Sequence, residues 1–241
     1  MTQMTEDGHR ISERFELNDE FAYVLANRHN IAGALERWGA DCAISFPWRG
    51  QIPMWQGLVA EVMLQRTRAA QVAPTFCRFR RAYPTPSKFA KATEEELTEL
   101  IAPLGLKWRA RLLHQLAKSI DAADGDIPID RDSLEAMPGV GPYAAAATLS
   151  LHAGRRAVII DSNVVRVLCR LVGVGFDGET RRKRWLLEFA ESMTPQRTHR
   201  NFNYAILDLA SKICQPRKPL CEMCPILPWC RTGQDRSTTN G

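Results

Sequence analysis

No stretch of this 241-residue chain is apolar over the roughly 18 consecutive residues that a membrane-spanning helix needs. The chain also lacks strict apolar–polar alternation, internal repeats and low-complexity linkers. These absences argue against a membrane protein, a sheet-based fold and a repeat protein. What remains is an ordinary globular composition, with 45% hydrophobic and 24% charged residues. We therefore predict an all-helical protein that does not enter a membrane.

Both ends of the chain lack the periodic apolar pattern of a packed element. The first twenty residues, MTQMTEDGHRISERFELNDE, have neither the basic start nor the apolar core of a secretory signal. We expect residues 1–20 to form a mobile tail. The sequence after Cys230, RTGQDRSTTNG, is polar, and we expect residues 232–241 to be disordered.

Between the two ends, apolar residues recur at steps of three and four, which is the spacing of amphipathic helices. Thr93 precedes three glutamates and is placed to begin a helix that Gly105 stops. Asp132 or Ser133 is placed to cap a short helix. Further helical patterns cover residues 54–89, 107–123, 142–153, 163–172 and 180–193.

The charge balance is mildly basic. The formal net charge is +5 and the sequence pI is about 8.9. A positive surplus suits a partner with a phosphate backbone, although one of this size only suggests it.

Four of the seven cysteines crowd together near the C-terminus, in the order Cys214-x6-Cys221-x2-Cys224-x5-Cys230. In a chain without an export signal, such clustering indicates a metal site in a reducing compartment and not a disulfide framework. Four soft thiolates at this spacing can surround one metal centre. A zinc knuckle uses the same ligands, but zinc sites more often show two CxxC pairs, and this segment has one. The spacing alone leaves both an iron–sulfur cluster and zinc open.

A glycine-rich turn, MPGVGPY, occupies residues 137–143 between two helical patterns. Gly139 and Gly141 permit a tight turn around Val140, and the helix that Pro142 begins has unpaired backbone N–H groups at its start. That arrangement can hold a phosphate. A plain helix–helix turn explains the glycines equally well when the segment is considered alone.

An acidic residue ends the apolar run Val158–Ile160, immediately before the helical pattern VVRVLCRL. Asp161 is therefore predicted to cap a helix. A capping aspartate has a fixed direction, so the same carboxylate can also serve a reaction.

Several segments, in the same order along the chain, resemble the helix-hairpin-helix DNA glycosylases of the endonuclease III and MutY superfamily. The matching segments are EVMLQRT (61–67), LGLKWRAR (104–111), MPGVGPYAAAATLSL (137–151), VIIDSNVVRVLCRL (158–171) and the cysteine quartet.

The resemblance implies the HhH-GPD glycosylase fold with two domains. Residues 45–156 would form a six-helix barrel that contains the helix-hairpin-helix, at about 134–147. Residues 21–44 and 157–231, from both chain ends, would form a helical domain in which Cys214, Cys221, Cys224 and Cys230 hold a [4Fe–4S] cluster. The implied partner is double-stranded DNA with a mismatched or damaged base. We expect a monomer that, in a prokaryote, lies in the cytoplasm with the nucleoid.

The resemblance also assigns roles to single residues. Asp161 would stabilise the positive charge that develops on the sugar when the N-glycosidic bond breaks. Glu61 would hold the base edge or donate a proton to it, and Tyr143 would pack against the flipped nucleotide. Arg66 matches the position that fills the gap left by the flipped base. Gln65 and the hairpin residues Gly139, Val140 and Gly141 complete the implied DNA contacts.

The hairpin position that Tyr143 occupies separates the branches of the superfamily. Bifunctional lyases place a lysine there, and this chain has no lysine between Lys118 and Lys183. Tyr143, Arg66 and the segments GLKWRA and RNFNYAILDLASKICQPRKPLCEMC resemble thymine/uracil mismatch glycosylases. We therefore expect a monofunctional enzyme that removes T or U opposite G.

Three alternatives stay open. EVMLQ, with Glu61, also looks like MutY-type adenine glycosylases, but those usually carry a serine at the Tyr143 position and a further C-terminal recognition domain that we do not expect here. A non-catalytic DNA-binding module would keep the hairpin without the chemistry. A zinc-bound structural adaptor would use the cysteines for stability alone.

Overall fold

The computed structural model of the chain describes residues 19–42, 44–105 and 107–239. Every regular element in these three ranges is helical, which confirms the prediction of an all-helical protein. Residues 1–18 of the predicted mobile tail lie outside the described residues. Asp19 and Glu20, which the tail was also expected to include, begin the first helix instead. No helix in the described part of the chain is long and apolar enough to cross a membrane.

The chain divides into two compact units, one formed by Ile44–Ala157 and the other by Met1–Ala43 with Val158–Gly241. The first unit has an aromatic core in which Phe79 and Phe89 meet edge to face with ring centroids 5.0 Å apart. Trp48 and Trp55 are buried in the same core. Its helices are α3 (Met54–Leu64), α4 (Ala69–Ala82), α5 (Pro86–Ala90), α6 (Glu94–Ile101), α7 (Arg109–Ala122), α8 (Arg131–Glu135) and α9 (Pro142–Ala147), with a 3-10 turn at Ala102–Leu104 and a π-helical turn at Thr148–His152.

The other unit packs helices from both ends of the chain around one apolar core. Phe21, near the N-terminal end, meets Phe189 with ring centroids 5.1 Å apart, so segments far apart in sequence share this core. Its helices are α1 (Asp19–Ala26), α2 (Arg28–Cys42), α10 (Ser162–Leu171), α11 (Arg184–Met193), α12 (His199–Lys212) and α13 (Arg231–Thr239), with 3-10 turns at Thr180–Arg182, Cys221–Met223 and Leu227–Trp229.

Of the residues 232–241 predicted to be disordered, 232–239 belong to the helix Arg231–Thr239, so the prediction is wrong for them, and residues 240 and 241 lie outside the described residues. Arg231 forms an ion pair with Glu20, at 2.8 Å, and another with Asp235. Gly233 is buried, and a Cβ at this position would lie 2.7 Å from Leu227. The polar composition did not reveal that Gly233 lets this helix pack closely against Leu227.

The helical pattern over 54–89 contains three helices, because the chain turns after Gln65 and again after Tyr83. One local prediction needs correction. The short helix at 131–135 is capped by Asp130, whose side chain accepts from the Ser133 N–H, and not by Asp132 or Ser133. By contrast, Thr93 forms the predicted cap, as a capping box with Glu96.

Candidate active site and cysteine cavity

Asp161 lies at the N-terminus of α10 and is held there by three hydrogen bonds. Its Oδ1 accepts from the backbone N–H groups of Asn163 (2.9 Å) and Val164 (2.7 Å), and its Oδ2 accepts from Asn163 Nδ2 at 2.7 Å. The side chain is half-buried. The predicted cap is thus present, and the two oxygens of a carboxylate can accept about four hydrogen bonds, so one acceptor position remains.

A buried arginine connects the start of α10 to the segment that carries the first cysteine. Arg166 donates from Nε to the Cys214 carbonyl (2.8 Å), from Nη2 to the Ala210 carbonyl (2.9 Å) and from Nη1 to Asn163 Oδ1 (3.1 Å). Burial lowers the pKa of Arg166, and the charges of Cys214 and Asp161 partly oppose that shift. Because Asn163 is bonded to both Asp161 and Arg166, the direction of the carboxylate depends on this network.

All four cysteines of the quartet line one cavity in the unit formed by the chain ends; Arg170, Ile213 and Leu227 line it with them. Arg170 donates to Cys214 Sγ at 3.4 Å and to the Gln215 carbonyl at 2.8 Å. The seven cysteines are free of disulfides. No three His, Cys, Asp or Glu side chains converge on a single-ion site in the part of the chain that the structure describes.

The thiols in this cavity influence one another. Burial raises the pKa of Cys224 to about 12 and the pKa of Cys230 to about 11. Backbone hydrogen bonds oppose the shift in each case, and the neighbouring Cys214 and Cys221 add to it. Such thiols stay protonated near neutrality unless a cation draws off the proton, which is the usual condition for a metal-binding cysteine site.

Glu61 lies on α3 in the other unit and is almost fully buried, with 1% of its side chain exposed. Its Oε1 lies 3.1 Å from Nε2 of His152, at the end of the π-helical turn. Its Oε2 is also buried and has no hydrogen-bond partner among the described residues. A buried carboxyl oxygen without a partner is costly, and such groups occur mostly where a ligand or water completes the site.

The turn after α3 carries two of the predicted DNA-contacting residues. Arg66 is exposed and has a φ of 56°, in the left-handed region that a non-glycine residue rarely adopts. Gln65 donates from Nε2 to the Gly139 carbonyl at 2.9 Å, so this turn is tied to the hairpin. Strained backbone of this kind costs about 1–3 kcal/mol and is common at functional sites.

Arg109 holds the turn after α3 in place by hydrogen bonds, although it was not among the residues predicted from the sequence. It is fully buried and donates to the Met63 carbonyl (2.6 Å) and to Thr67 Oγ1 (2.7 Å), on either side of Arg66. Burial lowers its pKa. A signal was present, because Arg109 occupies the same helical face as the buried Leu113 and Leu116. An arginine in register with an apolar face is rarely an ordinary surface residue.

The hairpin turns as its glycines predicted. Gly139 has a φ of 77°, and a Cβ there would lie 3.1 Å from Leu112 Cβ. Gly141, by contrast, has open space where a Cβ would be. Val140 is buried in the core of its unit, and Tyr143 is half-buried in the first turn of α9. Of the two glycines, only Gly141 has open space in the direction in which a side chain would project.

The structure therefore brings together Glu61, Gln65, Arg66 and the hairpin within one unit, and Asp161 and the four cysteines within the other. His152 and Arg166, like Arg109, were not predicted from the sequence. The contact between His152 and Glu61 spans 91 residues, and that between Arg166 and Cys214 spans 48. No local pattern indicates partners at such distances.

Comparison with known proteins identifies relatives over most of the chain. The family model described as HhH-GPD superfamily base excision DNA repair protein matches residues 59–190. Thymine/uracil-DNA glycosylase of Pyrobaculum aerophilum is 37% identical over 75% of this chain and 80% of the relative. Thymine-DNA glycosylase of Aeropyrum pernix is 40% identical over 76% of this chain and 85% of the relative.

Two further similarities bear on fold and substrate. The structure of a thermostable thymine-DNA glycosylase superposes with a TM-score of 0.79 at 30% identity, over 87% of this chain and 98% of that chain. Adenine DNA glycosylase of Homo sapiens is 33% identical over 91% of this chain, which corresponds to 42% of the relative's length.

Proposed function

The chain belongs to the HhH-GPD superfamily of base excision DNA repair proteins, and from that premise we propose that this DNA N-glycosylase removes thymine or uracil opposite guanine in duplex DNA. The observation that carries the proposal is the fixed carboxylate of Asp161 at the start of α10. The identity to thymine and thymine/uracil glycosylases supports this substrate class over adenine.

Asp161 supplies the electrostatic part of the reaction. Cleavage of an N-glycosidic bond leaves its electron pair on the base and positive charge on the sugar. A carboxylate already fixed by hydrogen bonds from Asn163 and Val164 stabilises that charge without having to reorient. Water then adds to the sugar carbon and releases a proton.

Glu61 binds or protonates the base as it leaves. Its unpartnered Oε2 is the oxygen that can bind an N–H of the base, or donate a proton to the base as it leaves. A hydrogen bond from a flipped base also satisfies an oxygen that is otherwise buried without a partner. Flipping itself costs a few kcal/mol, and least at a mismatch, which favours mispaired bases.

The enzyme is monofunctional under this proposal, because the first turn of α9 carries the phenol of Tyr143 where a lyase needs an amine. It leaves an intact strand with an abasic site. An adenine-specific enzyme is the second candidate, and the buried Glu61 and the identity to adenine DNA glycosylases support it.

A [4Fe–4S] cluster fits the cysteine cavity. The fit rests on two features of this structure: four soft thiols line one cavity, and Arg170, which also lines it, donates to Cys214 Sγ and to the Gln215 carbonyl. Cys214, Cys221, Cys224 and Cys230 would hold the cluster, which would cross-link the loops that it joins. A monomeric state and a cytoplasmic location with the nucleoid remain predictions.

One panel of duplexes tests the proposed function. With G·T, G·U, A·G and A·8-oxoguanine duplexes, we expect excision from G·T and G·U, detected as strand breaks that appear only after hot alkali. Borohydride should trap no covalent complex. Excision only from the A-containing duplexes would establish the adenine candidate, and a borohydride-stable adduct would contradict the monofunctional assignment.

The two hairpin glycines form a matched pair for testing phosphate contact. Gly141→Ala adds a methyl group in open space, so stability should hold while DNA affinity falls. The slope of log affinity against log salt should stay close to that of wild type, because the substitution removes no cation and so changes no counterion release. Gly139→Ala forces a left-handed backbone against Leu112, so it should lower the free energy of unfolding by roughly 1–2 kcal/mol. Unchanged affinity in Gly141→Ala would place the DNA backbone elsewhere.

A further inference from the structure

A buried histidine, His152, contacts the carboxyl group of Glu61, which is proposed to bind or protonate the departing base. Its Nε2 lies 3.1 Å from Glu61 Oε1, and the exposed fractions of the two side chains are 3% and 1%. The residues belong to different elements, since Glu61 lies on α3 and His152 ends the π-helical turn. A π turn holds more residues than an α turn, so it redirects the side chains that follow it, and such turns concentrate at functional sites.

A glycine one turn before Glu61 provides the space for this ring. A Cβ at Gly57 would lie 2.5 Å from His152 Cγ and 2.6 Å from Nδ1. The imidazole therefore lies directly on the backbone of α3, and any side chain at position 57 would displace it. Residues four apart share one helix face, so Gly57 and Glu61 fix the ring at two adjacent points.

The hydrogen bond also differentiates the two oxygens of Glu61. With Oε1 engaged by His152, Oε2 is the oxygen without a partner among the described residues. Packing and the hydrogen bond together restrict rotation of the carboxyl group, so Oε1 and Oε2 do not readily exchange positions. A group held in this way meets a ligand without paying the entropy of alignment.

We propose that His152 is a positioning residue for Glu61: its Nε2–H donates to Oε1, so that Oε2 alone exchanges a hydrogen bond or a proton with the excised base. This inference rests on the proposed glycosylase function. When Oε2 carries the proton, that proton goes to the base as the glycosidic electron pair moves onto the base. Water supplies hydroxide to the sugar carbon, and its remaining proton returns to Oε2. Throughout, the Nε2–H of His152 stabilises the carboxylate formed in between.

Single-turnover excision with four variants tests the proposal. His152→Leu should slow the excision step roughly ten- to a hundredfold, the effect of losing a hydrogen bond to a charged group, while the Kd for DNA changes little. His152→Gln keeps an N–H donor and should recover most of the rate. Gly57→Ala should slow excision by displacing the ring. Gly50→Ala, in open space within the same unit, should behave as wild type.

A double variant separates action through Glu61 from general damage. Adding His152→Leu to Glu61→Gln should slow excision no further than Glu61→Gln alone, because the histidine acts through that carboxyl group. A wild-type rate in His152→Leu would overturn the proposal. Equal losses in His152→Leu and His152→Gln would overturn it too, because packing and not the hydrogen bond would then be the cause.

A readout independent of activity keeps this inference distinct from the proposed function. In ¹⁵N-histidine-labelled protein, the signal that disappears in His152→Gln belongs to His152. It should show a protonated Nε2 that shifts in Glu61→Gln. If wild-type protein excises no base from any duplex, the proposed function is wrong. The spectrum still shows whether His152 donates a hydrogen bond to Glu61. An unprotonated Nε2 in wild type would overturn the inference.

Discussion

Asp161→Asn is expected to abolish most base excision while the protein stays folded and binds DNA. The carboxamide is isosteric, and its oxygen can still accept from the N–H groups of Asn163 and Val164, so the helix keeps its cap. What disappears is the negative charge beside the developing sugar cation. Removal of one preorganised electrostatic contact typically costs about 10²- to 10³-fold in rate. Single-turnover excision and a thermal unfolding curve measure the two effects separately.

The new amide also affects Asn163. In wild type, Asn163 Nδ2 donates to Asp161 Oδ2 while its Oδ1 accepts from Arg166. In Asp161→Asn the new NH₂ group at position 161 faces the NH₂ group of Asn163. Rotating the Asn163 amide by 180° would relieve this but would break its hydrogen bond with Arg166. We therefore expect a loss of stability of about 1 kcal/mol, the scale of one hydrogen bond.

Asp130→Asn is the matched control. Asp130 also caps a helix, by accepting from the Ser133 N–H at 2.9 Å, and no role in the reaction is proposed for it. It should show full excision activity and little change in stability, because the amide oxygen can still accept from the Ser133 N–H and no second NH₂ group faces the new one. If Asp161→Asn retained excision within about tenfold of wild type, its carboxylate would be a helix cap and nothing more.

Local signals made part of this structure predictable. The aspartate at 161 follows an apolar run and precedes an amphipathic pattern, and Thr93 precedes a glutamate at the third helical position; both residues cap helices as expected. Gly139 adopts the left-handed conformation that a glycine in a tight turn suggests. In each case the cause lies within a few residues, where sequence patterns are informative.

The remaining features depend on tertiary packing. The turn after α3 contains neither glycine nor proline, and buried Arg109, more than forty positions away, holds it. The helix at Arg231–Thr239 has a polar composition and is fixed by Glu20 from the other end of the chain. The partner of Glu61 is brought into place by a π turn, which apolar periodicity does not reveal. Sequence alone places a titratable group on a helix but does not identify what that group faces.

Loss of the proposed cluster should lower iron content, stability and excision activity together. Cys224→Ser replaces a soft sulfur ligand with a hard hydroxyl in the cysteine cavity, so iron should no longer be retained. Wild-type protein purified anaerobically should contain about four irons per chain and absorb in the blue, and the variant should lose both signals. Stability should fall by at least about 2 kcal/mol, the scale of losing a native cross-link. Cys77→Ser, at an exposed cysteine in the other unit, should change none of these.

Excision should decline together with the iron, for a reason visible in the hydrogen bonds. The Cys214 carbonyl accepts from Arg166, which also holds Asn163, which in turn holds Asp161. When the Cys214 segment loosens, Arg166 loses a fixed acceptor and Asp161 loses part of its alignment, so the excision step should slow more than DNA binding weakens. Stoichiometric zinc without iron in wild-type protein would rule out the cluster. Full excision by iron-free Cys224→Ser would show that this network does not depend on the metal.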